Sequence, residues 1–176
     1  GELRMTIFPD SGVMSKVDAR PPLAAMFMAA TFKLFGVSLY SAKLPFLLAG
    51  LLTVFLTYLL GCELGRPAVG LLAAFVLATD NLFFLASRTS RPEPLAAAFC
   101  VLSVLIYLRS QRGKSIPLAF LAGLIAGAGT LTHTNGFAAA LAVGTLALFE
   151  FRVSILWQKR AWAFAFGALL PLLAFA

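Results

Sequence analysis

Seven of the 176 residues are acidic and one is histidine, so the side chains able to do acid–base or ionic chemistry can be named one by one. Asp18 and Arg20 stand directly before Pro21-Pro22. Arg88, Arg91 and Glu93 share the short polar stretch Ser87-Arg88-Thr89-Ser90-Arg91-Pro92-Glu93-Pro94. His133 and Asn135 interrupt a long apolar run, and Asp80 precedes Asn81 inside another. A carboxylate in such a place can serve as a general base or orient a hydroxyl. Arginine grips phosphate oxygens in a bidentate fork, and imidazole can donate to the same group. Each residue also has a plainer reading. Asp18 can favour a helix N-terminus through the dipole, Arg91 can pair locally with Glu93, and Glu93 can cap a helix. His133 can be a hydrogen-bonded turn residue, and Asp80 can cap a helix break or meet Arg88 on roughly the same helical face.

Nothing else in the chain matches a soluble catalytic template. There is no P-loop, GxGxxG, GxSxG or HExxH motif. Cys62 and Cys100 are 38 residues apart on apolar segments, a spacing that suits small apolar fillers and no metal site. Gly123, Gly127 and Gly129 fall within one apolar run, where small residues four apart let helices approach closely.

The elements that must position these residues follow from composition. The chain is 61% hydrophobic and 12% charged, with a mean hydropathy of +0.94. A soluble domain carries roughly a quarter of its residues charged, and disordered chains are poor in apolar residues. Both classes are excluded, and an all-α, polytopic transmembrane bundle is expected. A span needs roughly 17–25 residues. Apolar runs at 44–62, 67–87, 94–108, 115–132, 136–149 and 161–176 give about six spans in this stretch. Ser115 to Phe149 is free of formal charge, and a single helix of that length would measure about 52 Å. The interruption Thr132-His133-Thr134-Asn135-Gly136 divides it in two.

The net charge of +7, from 14 basic and seven acidic residues, is read by position. One alternate set of loops carries Arg66, Arg109, Arg112, Lys114, Arg152, Lys159 and Arg160, whereas the other carries Arg88 and Arg91. The positive-inside rule places the first set in the cytoplasm. Residues 1–42, the loop 87–93 and the turn 133–136 then face outside, and no nucleic-acid partner is implied. Within the external stretch, Leu23–Phe35 opens after two prolines and stops at Gly36. It is too short to span and is expected to lie in the interface. Gly1 is not preceded by a start signal and the last run stops without a polar tail, so the sequence reads as part of a longer membrane protein. All the chemically interesting residues fall on the outer side.

In that order the stretches resemble glycosyltransferase family 39, which includes protein O-mannosyltransferases and the lipid A aminoarabinose transferases. Val17-Asp18-Ala19-Arg20-Pro21-Pro22-Leu23 is similar to the family's aromatic-Asp-x-His-Pro-Pro-Leu segment. Lys33-Leu34-Phe35-Gly36-Val37-Ser38 with Ala42-Lys43-Leu44-Pro45 resembles its KLFG…RLP stretch. Ser87-Arg88 through Arg91-Pro92-Glu93 resembles a short external loop ending Arg-x-Asp, and Leu131-Thr132-His133-Thr134-Asn135-Gly136 resembles the LTK…G turn. Arg20 stands for the family's His, Glu93 for the commoner Asp, and His133 near the usual Lys. The family's acidic Asp-Glu doublet has no intact counterpart, since Glu2 follows Gly1, and is expected upstream.

The resemblance implies transfer of a sugar, a mannose-like hexose or a pentose, from a polyprenyl- or dolichyl-phosphate donor. The acceptor is a hydroxyl on a protein, lipid or glycan at the outer or luminal face. It implies Asp18 and Glu93 as catalytic or acceptor-positioning carboxylates, and Arg88, Arg91, Arg20 and His133 as donor-phosphate contacts, with no metal ligands assigned. The membrane would be the plasma membrane of a prokaryote or the endoplasmic reticulum of a eukaryote. A transporter or flippase module, or an inactive scaffold relative, is the alternative. A transporter should place charges or helix breaks near mid-membrane in several spans, whereas these charges cluster at one edge.

Overall fold

The computed structural model describes residues 22–151 and 158–174, and helices dominate it. Local chemistry sets where they start and stop. Pro22 occupies the first turn of α1 (Pro22–Phe35), where its missing N–H costs nothing, and Gly36, at φ +79°, lets the chain leave it. Ser38 then caps α2 (Leu39–Leu64). Its hydroxyl accepts the Ser41 amide at 3.1 Å, and the Ser41 hydroxyl accepts the Ser38 amide at 3.0 Å. Prolines open α3 (Pro67–Thr79), α5 (Glu93–Arg112) and α6 (Ile116–Thr130) within their first two positions. Between α3 and α5 lies the short α4 (Asn81–Arg88). After α6 come a 3₁₀ turn (Thr134–Phe137), α7 (Ala138–Phe151) and α8 (Lys159–Leu173).

Two of these helices, α2 with 26 residues and α5 with 20, are long and apolar enough to cross a bilayer. The run 67–87 is not one straight span. It is two helices meeting at 64°, because Asp80 adopts extended backbone and its carboxylate accepts the Phe83 amide at 2.6 Å, restarting the helix as α4. Asp80 therefore caps a break and makes no ion pair with Arg88. Removing that cap is worth about 1 kcal/mol, so Asp80→Ala should speed hydrogen exchange of the Phe83 amide roughly fivefold. An unaltered Phe83 exchange rate would show that the bend is held by packing instead.

Packing follows membrane logic, with small residues inside and large apolar ones outside. Ala119 and Ala122 are fully buried, whereas Leu51, Leu71 and Phe166 are more than half exposed, as lipid-facing side chains must be. One cluster joins α5 to α8 through Val104, Tyr107, Ala122, Val143 and Phe164, with the Tyr107 and Phe164 rings edge to face at 5.4 Å. A second joins α1, α2 and α5 through Phe46, Ala49, Leu95 and Ala98, flanked by Ala24 and Met28. Hydroxyls stitch helices where no water reaches: Ser103 donates to the Ala122 carbonyl at 2.8 Å. Glycine makes the closest approaches. A Cβ on Gly61 would collide with the Gly70 backbone of α3, and one on Gly123 with the Phe164 carbonyl of α8.

The two ends of the bundle differ in charge. Where α2 and α5 finish, Glu63 pairs with Arg109 at 3.4 Å and Arg112 at 2.8 Å. Arg160, opening α8, donates to the Gln111 carbonyl at 2.9 Å and so ties α8 to the last turn of α5. This end gathers the described members of the basic loop set. Because α5 runs toward it from Glu93 to Arg112, Glu93 and the 87–93 linker lie at the other end.

Candidate functional site

The end opposite the basic cluster is assembled from segments far apart in sequence. The Leu23 N–H, one of the orphan donors of the first turn of α1, is accepted by the Leu131 carbonyl at 3.0 Å. This bond fixes the start of α1 to the chain just after α6. Phe27 of α1 packs its ring 6.4 Å from that of Phe99 in α5, and Ala24 and Met28 pack on the cluster that includes Leu95 and Ala98. Phe99 in turn lies where a Cβ on Gly129 would touch it at 3.0 Å. The Pro22 start, the α5 start and the turn after α6 therefore share one corner of the bundle.

His133 sits in that turn, partly buried, and caps the 3₁₀ turn. Its Nδ1 accepts the Asn135 amide at 3.1 Å, which requires an unprotonated Nδ1. In the neutral ring the proton is then on Nε2, and His133 offers one N–H donor beyond its structural bond. Thr132, almost fully buried, donates to the Gly129 carbonyl at 2.6 Å, and Gly136 packs backbone to backbone on Gly129. The sequence left the structural and ligand-binding readings of His133 open, and the structural one is present in the bond that Nδ1 accepts.

Glu93 is the first residue of α5, and its carboxylate meets Arg91 Nε at 3.2 Å. The local pair expected between them is present, but the capping role is not: α5 has no side-chain cap, and Glu93 contributes only through its charge near the helix dipole. One carboxylate oxygen, Oε1, faces Arg91, while Oε2 is buried without a hydrogen-bond partner. Arg91 itself is 61% exposed, so its remaining N–H groups stay accessible.

Arg88 closes α4, and its guanidinium lies 5.2 Å from the centroid of the Phe84 ring, one helical turn earlier. Sequence reading missed Phe84, although its spacing of four from Arg88 is a helical-neighbour signal. It also missed Ser87, wedged against Gly50 of α2, and Ser90, whose hydroxyl donates to the Ala42 carbonyl at 3.4 Å. Asp18 and Arg20 lie outside the described residues. Among the described residues no three His, Cys, Asp or Glu side chains come together as a metal site would require.

The chain thus places Arg91 and the Glu93 carboxylate together at the start of α5, Arg88 five residues before Glu93 at the end of α4, and His133 in the turn after α6. Guanidinium groups can bind anions, and a carboxylate can accept from a hydroxyl. The sequence profile described as dolichyl-phosphate-mannose-protein mannosyltransferase matches residues 19–176. The chain belongs to this family. No curated protein and no solved structure gives a significant match. Membership in this mannosyltransferase family makes the chain part of a membrane-embedded glycosyltransferase lineage. The matched residues include Arg20, Arg88, Arg91, Glu93 and His133, and they start one position after Asp18.

Proposed function

We propose that this chain belongs to an enzyme that moves a sugar, mannose on the family's description, from a polyprenyl- or dolichyl-phosphate donor to an acceptor hydroxyl at the outer or luminal face of a multi-pass membrane domain. The observation that carries the reading is the meeting of three separated segments at the end of the bundle away from the basic cluster. A lipid-linked donor presents its phosphate at the membrane edge, and this reading assigns Arg88, Arg91 and the His133 Nε2–H to meet it there. As the glycosyl bond breaks, negative charge grows on the departing lipid phosphate. Fixed cations and N–H donors stabilise that charge more than the starting state, and so lower the barrier. Arg20 adds a further cation three residues from the Leu23 anchor. Asp18 and Glu93 orient the acceptor hydroxyl, the main acidic pair being expected upstream.

A transporter would exploit the 64° break at Asp80, since broken helices line substrate paths. Among the described residues that break stands alone, and the other charged residues there lie near helix ends or in linkers, which favours the transferase. The test is transfer from a lipid-phosphate sugar by the full-length chain in proteoliposomes. Arg91→Ala should lower the rate by about a hundredfold or more, the usual effect of deleting one preorganised donor. Expression and helix content should be unchanged. Transfer at the wild-type rate would sink the assignment of Arg91.

A further inference from the structure

The contacts between α2 and the bent α3–α4 pair form an arch. At its foot α3 touches α2 backbone to backbone at Gly61 and Gly70. At its top α4 touches α2 where Ser87 sits on Gly50. Between those two points α2 advances about 16 Å. The 64° break at Asp80 keeps the pair from following α2 across that length. The result is a groove of about 690 Å³ walled by Leu47, Leu51, Phe55, Leu71 and Phe83. Its volume lies within the range of small-molecule sites, and among the described residues Arg88 is its one charged lining residue.

Resting on the donor class proposed above, we infer that this groove holds the phosphate-proximal hydrocarbon chain of the lipid-phosphate carrier, with Arg88 meeting the phosphate. Two observations point to that occupant. The first is charge: apolar walls ending at a single guanidinium match a chain ending in an anion, and Phe84 holds that guanidinium in place. The second is continuity, because Arg88 is three residues from Arg91 and five from Glu93 on the same linker. A chain seated in the arch delivers its phosphate to that linker. The 64° bend thereby acquires a purpose: a straight α3–α4 helix packed along α2 would close the groove.

The experiment uses the full-length chain in nanodiscs of phosphatidylcholine. The probe is a polyprenyl phosphate carrying a diazirine in an isoprene unit close to the phosphate, with labelled positions mapped by mass spectrometry. Labelling should concentrate on residues 47–58 and 71–84, and unlabelled polyprenyl phosphate should compete for it while phosphatidylglycerol should not. Ala78 is an exposed groove wall, so Ala78→Trp should preserve the fold, checked by a monodisperse elution profile, while cutting groove labelling about tenfold or more. Arg88→Gln should weaken labelling in the same direction. Equal competition by phosphatidylglycerol, or labelling confined to other helices, would overturn the inference and leave sugar transfer untouched. Groove labelling by a protein that transfers no sugar would uphold the inference while the transferase reading failed.

Discussion

Replacing Glu93 with glutamine should reduce sugar transfer by about 10²–10⁴-fold while the bundle stays folded. Glutamine has nearly the same shape, and its side-chain oxygen can still accept from Arg91, which reaches Glu93 at 3.2 Å in the native pair. What it removes is the negative charge. That charge sits at the first position of α5, where the helix N-terminus favours it, and the buried Oε2, which has no hydrogen-bond partner, is the oxygen that the proposed reading gives to the acceptor hydroxyl. Glu93→Asp is the companion. It keeps the charge and supplies the residue commoner in the family's loop, so activity should stay within about tenfold of the starting rate. Initial rates in proteoliposomes, with donor binding measured separately, distinguish the two changes. A Glu93→Gln protein that works as fast as Glu93→Asp would remove Glu93 from the acceptor side of the site.

The second large effect concerns stability. Gly123→Leu should dismantle the α6–α8 packing. A Cβ built on Gly123 already overlaps the Phe164 carbonyl and lies 2.9 Å from the Ala168 amide nitrogen, and Gly167 faces the Phe120 carbonyl just as closely from the other side. Neither partner can move aside, because both are helix backbone. Overpacking of a buried contact usually costs about 1–3 kcal/mol, and an isobutyl group driven into facing backbone belongs at the upper end or beyond. The variant should elute as aggregate or melt well below the parent protein in detergent. Gly144→Ala is the control, since a Cβ there meets nothing within 4 Å. Equal melting temperatures for Gly123→Leu and the parent would mean that α8 docks elsewhere.

The helical membrane class was legible from composition alone, because a chain with 12% charged residues has no soluble alternative. The glycine run of α6 was legible as packing, since Gly123 and Gly127 repeat at the helical period that two backbones need. The Asp80 bend was only half legible. An aspartate followed by asparagine announces a possible cap, but hydropathy is blind to direction and cannot give 64°. The corner joining Leu23 to Leu131 was invisible, because it is made by a backbone amide and a backbone carbonyl, which every sequence offers everywhere. The Nδ1 bond of His133 was hidden for a related reason. Which ring nitrogen is engaged depends on where the Asn135 amide points, and that is decided by the 3₁₀ turn rather than by residue type.

The Leu23–Leu131 hydrogen bond also sets an order of events during synthesis. Its donor leaves the ribosome roughly a hundred residues before its acceptor, on the order of ten seconds earlier at ordinary elongation rates. Over that interval α2 to α6 can insert and pack, while the first turn of α1 has no partner for its Leu23 amide. The corner that gathers the charged linker and the histidine turn is therefore a late product of biogenesis, closed only after the helices that frame it are already in the membrane.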